Sequence, residues 1–121
     1  MPHLRIEYST NIVDRFDPAA VLDAAIRALM DSGAFNPADA VKARLMPVDH
    51  FQVGSGANHG FIHAGLALMS GRDGATKKNL TTALVDAIAP LLAAGPEVVQ
   101  VTSEARDMDR DTYSKRVIQG S

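Results

Sequence analysis

Cysteine is absent from the 121 residues, which removes disulfides, thiolate catalysis and cysteine-ligated zinc or iron–sulfur sites from the available chemistry. Tryptophan is absent too, and aromatics make up only 5% of the chain, too few for a platform on which bases or sugars stack. Positive charge is not in excess: 12 Lys and Arg against 14 Asp and Glu give a formal charge of −2, without the basic stripe that marks a nucleic-acid binder. No charged n-region and apolar h-region open the chain, and no apolar run could span a bilayer. The expectation is a cytoplasmic protein with neither nucleic acid nor membrane as a partner. The length suits one domain, residues 1–121, with a modest core.

What is present begins at the second residue. Met1-Pro2 leads at once into an alternating stretch. Removal of the initiator, usual before a small residue, would leave Pro2 with a free secondary amine on a rigid ring. Such an amine serves as a base or a nucleophile when it is unprotonated. Burial and neighbouring cations favour that form by disfavouring its charge. With Met1 retained, the same nitrogen is an amide and cannot be a base. The plainer reading is an ordinary Met-Pro start, so the rest of the chain must supply a desolvated, electropositive setting.

Leu4, Ile6 and Tyr8 alternate with His3, Arg5 and Glu7, the period of a strand with one buried face. Asp17-Pro18 opens a helix, with an N-cap acceptor before a proline at the first helical position. Val21, Leu22, Ala25, Ile26 and Leu29 form its apolar stripe, and Gly33 stops it in the left-handed region. From Ala40 to Met46 a second strand puts Val41, Ala43 and Leu45 on one face and Lys42 and Arg44 on the other, with Pro47 ending it. Residues 49–59 read as a short extended piece and a turn-rich loop, and Gly60–Met69 as a buried strand. A helical stripe of Leu80, Ala83, Leu84, Ala87, Ile88 and Leu91 follows, with Pro90 near its end. Glu97–Ser103 is a β-branched strand, and 106–121 reads as a charged surface tail that packs on a neighbouring subunit.

The fold class is therefore α/β (α+β): two βαβ units in one sheet with both helices on one face. The uncovered face predicts a homo-oligomer.

Three cations are candidates for holding an anionic substrate: Lys42 and Arg44 on one strand face, and Arg72 in the Ser70–Gly74 turn. Arginine offers a fork that matches a carboxylate, and lysine a point charge. Against this stands the reading of ordinary solvated cations. His59 and His63 are four apart, a metal-ligand spacing on a helix. In a strand that spacing separates them by roughly 13 Å, too far for one metal. No metal site is expected, and His63 reads as a buried or interface histidine or as a pocket lining. The Gly54-Ser55-Gly56 and Ser70–Gly74 loops lack phosphate-binding spacing, and no nucleophile-elbow sequence is present.

The whole chain resembles the tautomerase superfamily, and within it the 5-carboxymethyl-2-hydroxymuconate isomerases of bacterial homoprotocatechuate breakdown. The residues that carry the resemblance are Met1-Pro2-His3, Glu7, Ser9, Asn11-Ile12, Gly33, Phe35, Arg44, Val48-Asp49, His59, Phe61, His63 and Gly71-Arg72. The resemblance implies a trimer, no cofactor, and catalysis by the amino-terminal proline, here Pro2, on an unsaturated polycarboxylate of aromatic catabolism. Arg72 matches a family arginine for substrate carboxylate. The second family arginine falls on Lys42, or on Arg44 if the gap at 36–40 is placed differently. The alternatives are a related tautomerase on another enol and a non-catalytic oligomeric ligand-binding protein.

Overall fold

A computed structural model describes residues 2–36 and 40–120. Met1, on whose removal the expected role of Pro2 depends, lies outside the described residues. So do 37–39, within the gap that decides between Lys42 and Arg44, and Ser121 at the end of the tail.

Strand β1 (His3–Ser9) is followed by a 3-10 helix (Thr10–Arg15), helix α1 (Pro18–Asp31) and strand β2 (Lys42–Val48). Strand β3 (His59–Met69), helix α2 (Gly74–Ile88), a 3-10 turn (Ala89–Leu91) and strand β4 (Val98–Met108) complete the second half. The sheet order is β2-β1-β3-β4. Each half is a parallel βαβ unit, and the antiparallel β1–β3 pair joins them.

Helix α1 starts where the sequence predicts: the Asp17 carboxylate accepts from the Ala19 N–H at 3.2 Å, with Pro18 in the first turn. Gly33, just past its end, takes φ +78°. Asp73 caps α2 by accepting from the Thr76 N–H at 2.8 Å, and α2 gives way to the 3-10 turn around Pro90. Both helices cover one face. Val21, Ala25 and Leu29 of α1 and Leu80, Leu84 and Ile88 of α2 are buried with Leu4, Ile6, Ile62, Ala64, Leu66 and Leu68 of the sheet.

The 3-10 helix after β1 buries Ile12 and anchors Arg15, which donates to the carbonyls of Ala93 and Glu97 and pairs with the Glu97 carboxylate at 3.1 Å. Two expectations need correction. Pro47 does not end β2. It lies on an edge strand, where a missing donor costs no second partner. Strand β4 runs on through Met108, paired with β3 as far as Met69, so the tail does not begin at Arg106.

Candidate active site

The register gathers four chain segments at one end of the sheet. Because β1 and β2 are parallel, their starts coincide: His3 pairs with Lys42, and the Lys42 N–H donates to the Pro2 carbonyl at 3.1 Å. Because β3 is antiparallel to β1, its end arrives at the same place, with Ala67 opposite His3. Strand β4 ends there too, and the Ser70 N–H donates to the Met108 carbonyl at 3.0 Å. Pro2 is buried at this end.

Lys42 is exposed, and its ammonium donates to the Ala40 carbonyl at 2.9 Å. Arg44, two residues further along β2, brings Nη1 to 3.4 Å from His3 Nδ1. Arg72 is half-buried beyond the end of β3. Its Nη2 donates to the Ala34 carbonyl at 3.0 Å, and its guanidinium lies over the Phe35 ring at 4.8 Å. Its Nη1 also reaches the Met69 carbonyl at 3.5 Å, so the end of β3 and the α1–β2 connection together fix the guanidinium. Lys42 and Arg44 come from β2 and Arg72 from the turn after β3, and the register brings both segments to this end of the sheet.

His63 stands apart. It pairs with Glu7 and Thr102 in mid-sheet, four residues from Ala67 and therefore roughly 13 Å from the level of His3. Its Nδ1 contacts the Thr102 hydroxyl at 2.7 Å, and its Nε2 lies 3.7 Å from the Glu104 carboxylate. Arg106 bonds that carboxylate at 2.6 Å. The bond and the arginine's charge, with a smaller part from His63, hold Glu104 below the ordinary carboxylate range. His63 lines the far part of an open-sided hollow of about 550 Å³ on the uncovered sheet face, which it shares with His3, Arg5, Arg44, Glu104 and Arg106. Pro2, Lys42 and Arg72 are not among its walls.

Two contributors to this end escape sequence reasoning. Beyond β4, a turn in which the N–H groups of Thr112 and Tyr113 both donate to the Asp109 carbonyl folds the chain back. Arg110 donates from Nε to the Ser70 carbonyl at 2.7 Å and packs against Gly71, and the Tyr113 hydroxyl lies 3.1 Å from His3 Nε2. The start of the supposed surface tail is therefore docked against His3 and the turn after β3. His3 itself was legible only as an outward strand position. Its setting shows in its acidity: partial burial, then the charges of Arg44 and Lys42, lower its pKa from the ordinary 6.5. Among the described residues, no cluster of three or more His, Asp or Glu could hold a metal, and no helix is long and apolar enough to cross a membrane.

The arrangement sets several cations at the end of the sheet where the chain begins. Comparison with known proteins supplies the family and the fold. A family model for 5-carboxymethyl-2-hydroxymuconate isomerase matches residues 2–117. A search of curated proteins finds no match. The chain is similar to the crystal structure of a 5-carboxymethyl-2-hydroxymuconate isomerase from Deinococcus radiodurans, at TM-score 0.80 and 21% identity over 95% of this chain and 88% of that one. It is similar to a 5-carboxymethyl-2-hydroxymuconate delta-isomerase at TM-score 0.77 and 21% identity, over 97% and 88%. A fused 4-OT protein solved as a symmetric trimer gives TM-score 0.64 and 23% identity, over 90% and 87%. At these identities the structures establish the fold, and the family match carries the classification. The chain belongs to the 5-carboxymethyl-2-hydroxymuconate isomerase family and is an isomerase with the tautomerase fold.

Proposed function

We propose that this protein moves a proton along an unsaturated 2-hydroxy polycarboxylate such as 5-carboxymethyl-2-hydroxymuconate, with the free amine of Pro2 as base and acid. The amine takes the proton of the enol hydroxyl. The O–H bond breaks, the carbonyl forms, the double bonds shift along the chain, and the same proton is delivered to a distal carbon. Nothing is oxidised or reduced, and the proline ends as it began. Lys42, Arg44 and Arg72 hold the carboxylates and stabilise the dienolate charge that develops between the two proton transfers. Their charges also disfavour protonation of the amine. His63, which lines the same hollow in mid-sheet, meets a distal group of a long substrate rather than the reacting end.

The observation that carries this reading is the convergence of cations from β2 and from the β3–α2 turn on the end of the sheet where a buried Pro2 begins the first strand. The uncovered sheet face and the trimeric 4-OT relative support a homo-oligomer, with the trimer as the expected state. The reading is tested by ultraviolet assay of isomerisation with Arg72→Ala. Losing one charged contact to a carboxylate lowers kcat/KM by about 10- to 100-fold on a di- or tricarboxylate enol. A monocarboxylate enol should lose much less, and equal losses on both would argue against carboxylate binding by Arg72.

A further inference from the structure

His3 lies between two partners that constrain its protons. A guanidinium only donates hydrogen bonds, so the contact from Arg44 Nη1 at 3.4 Å requires a lone pair on His3 Nδ1. The one ring proton of the neutral histidine then sits on Nε2, where it is donated to the Tyr113 oxygen at 3.1 Å. A tyrosine oxygen that accepts at its lone pair still has its own O–H to give. Donation therefore runs in one direction, from Arg44 to His3 to Tyr113 and outward. The tail supports this geometry through the Asp109 turn and through Arg110 on the Ser70 carbonyl.

We propose that His3 is a positioning residue that orients Arg44 for substrate carboxylate and turns the Tyr113 hydroxyl outward as a further donor to the substrate, making Tyr113 a specificity determinant supplied by the tail. This rests on the polycarboxylate reading above, and it gives Arg44 the oriented contact there, whereas the Lys42 ammonium donates to the Ala40 carbonyl. The charged groups around His3 agree with a neutral ring. Lys42 and Arg44 face it from β2, Arg5 follows on its own strand, Arg106 stands on β4 across Ala67, and Tyr113 comes from the tail. Glu7 of β1 and Glu104 of β4 line the same hollow, and the Glu104 carboxylate is engaged by Arg106 at 2.6 Å; burial and the charges of Arg44 and Lys42 hold the histidine below its ordinary pKa.

The test compares His3→Gln, His3→Ala and Tyr113→Phe on a polycarboxylate and a monocarboxylate enol. Glutamine keeps both functions, since its carbonyl accepts from Arg44 and its amide donates to Tyr113. His3→Ala should raise KM for the polycarboxylate about tenfold or more, and Tyr113→Phe about three- to tenfold, with smaller changes in kcat. His3→Gln should recover most of the loss and erase any acid limb of kcat/KM that stems from His3. An equal defect in His3→Gln and His3→Ala, or equal losses on both substrates, overturns the proposal.

A readout without turnover separates this from the function it rests on. Nitrogen-15 imidazole spectra of the unsubstituted protein should show Nε2 protonated and Nδ1 bare at neutral pH, whereas the opposite tautomer overturns the proposal. Should neither enol turn over, the proposed function fails, and calorimetric binding of the polycarboxylate then decides here: weaker binding by Tyr113→Phe supports the assignment, and unchanged binding overturns it.

Discussion

Ser9 and Gly60 show how single atoms set the geometry around the end of β1. Ser9 is fully buried, and its hydroxyl accepts from the Phe61 N–H at 3.0 Å. Ser9→Ala strands that buried donor and should cost about 1–3 kcal/mol in chemical denaturation. A Cβ at Gly60 would stand 2.8 Å from Ile12 and 2.9 Å from the Ser9 hydroxyl, so Gly60→Ala should destabilise by about 1–3 kcal/mol through overpacking. Neither role is visible in sequence, because both depend on β3 passing the turn after β1. Pro2, Lys42, Arg44 and Arg72 could be singled out in the sequence as candidates by residue type. The partners that orient them could not, since Tyr113 is 110 positions from His3 and nothing local announces the contact.

Elements were easier to read where they obey their own periodicity. Both helices carry clear apolar stripes and acidic caps, and β1 alternates cleanly. Strand β3 reads ambiguously because its open-face positions include Phe61, Gly65, Ala67 and Met69, so the polar half of the pattern is missing although burial alternates along it. The end of β4 was missed for the opposite reason: Glu104, Arg106 and Asp107 look like a solvated tail, yet this edge strand is held by backbone pairing to β3. The cap of α2 makes a pH prediction. The Asp73 carboxyl is lowered from the ordinary 3.8 chiefly by its hydrogen bonds from Thr76. Its stabilisation is therefore complete above that value and lost as pH falls through the lower folded value. The melting temperature of Asp73→Asn should lie below that of the parent at neutral pH, and the gap should close in acid below the ordinary value. A gap that persists there would mean the carboxylate charge is not what the cap supplies.

At the scale of the molecule, one face of the sheet is covered by helices and the other presents Arg5, Glu7, Arg44, His63, Glu104 and Arg106 around an open hollow. A small α/β protein with one bare face is expected to meet further copies of itself there, and sedimentation velocity should find more than one chain per particle. A monomer across the working concentration range would contradict that. The βαβ halves were legible because each obeys a local rule of handed connection. The way they join was not, since the antiparallel β1–β3 pair that brings the end of β3 to the starts of β1 and β2 is a property of the whole sheet. On the proposed mechanism the chemistry depends on the state of the chain's first residue.

The direct test is the rate of ultraviolet change on 5-carboxymethyl-2-hydroxymuconate for two preparations verified by mass, one beginning at Pro2 and one retaining Met1. Proline as the acid–base group requires rapid isomerisation by the first and loss of most of that rate in the second, whose Pro2 nitrogen is an amide. Equal rates from both preparations would remove Pro2 from the chemistry, and no isomerisation by either would remove this substrate.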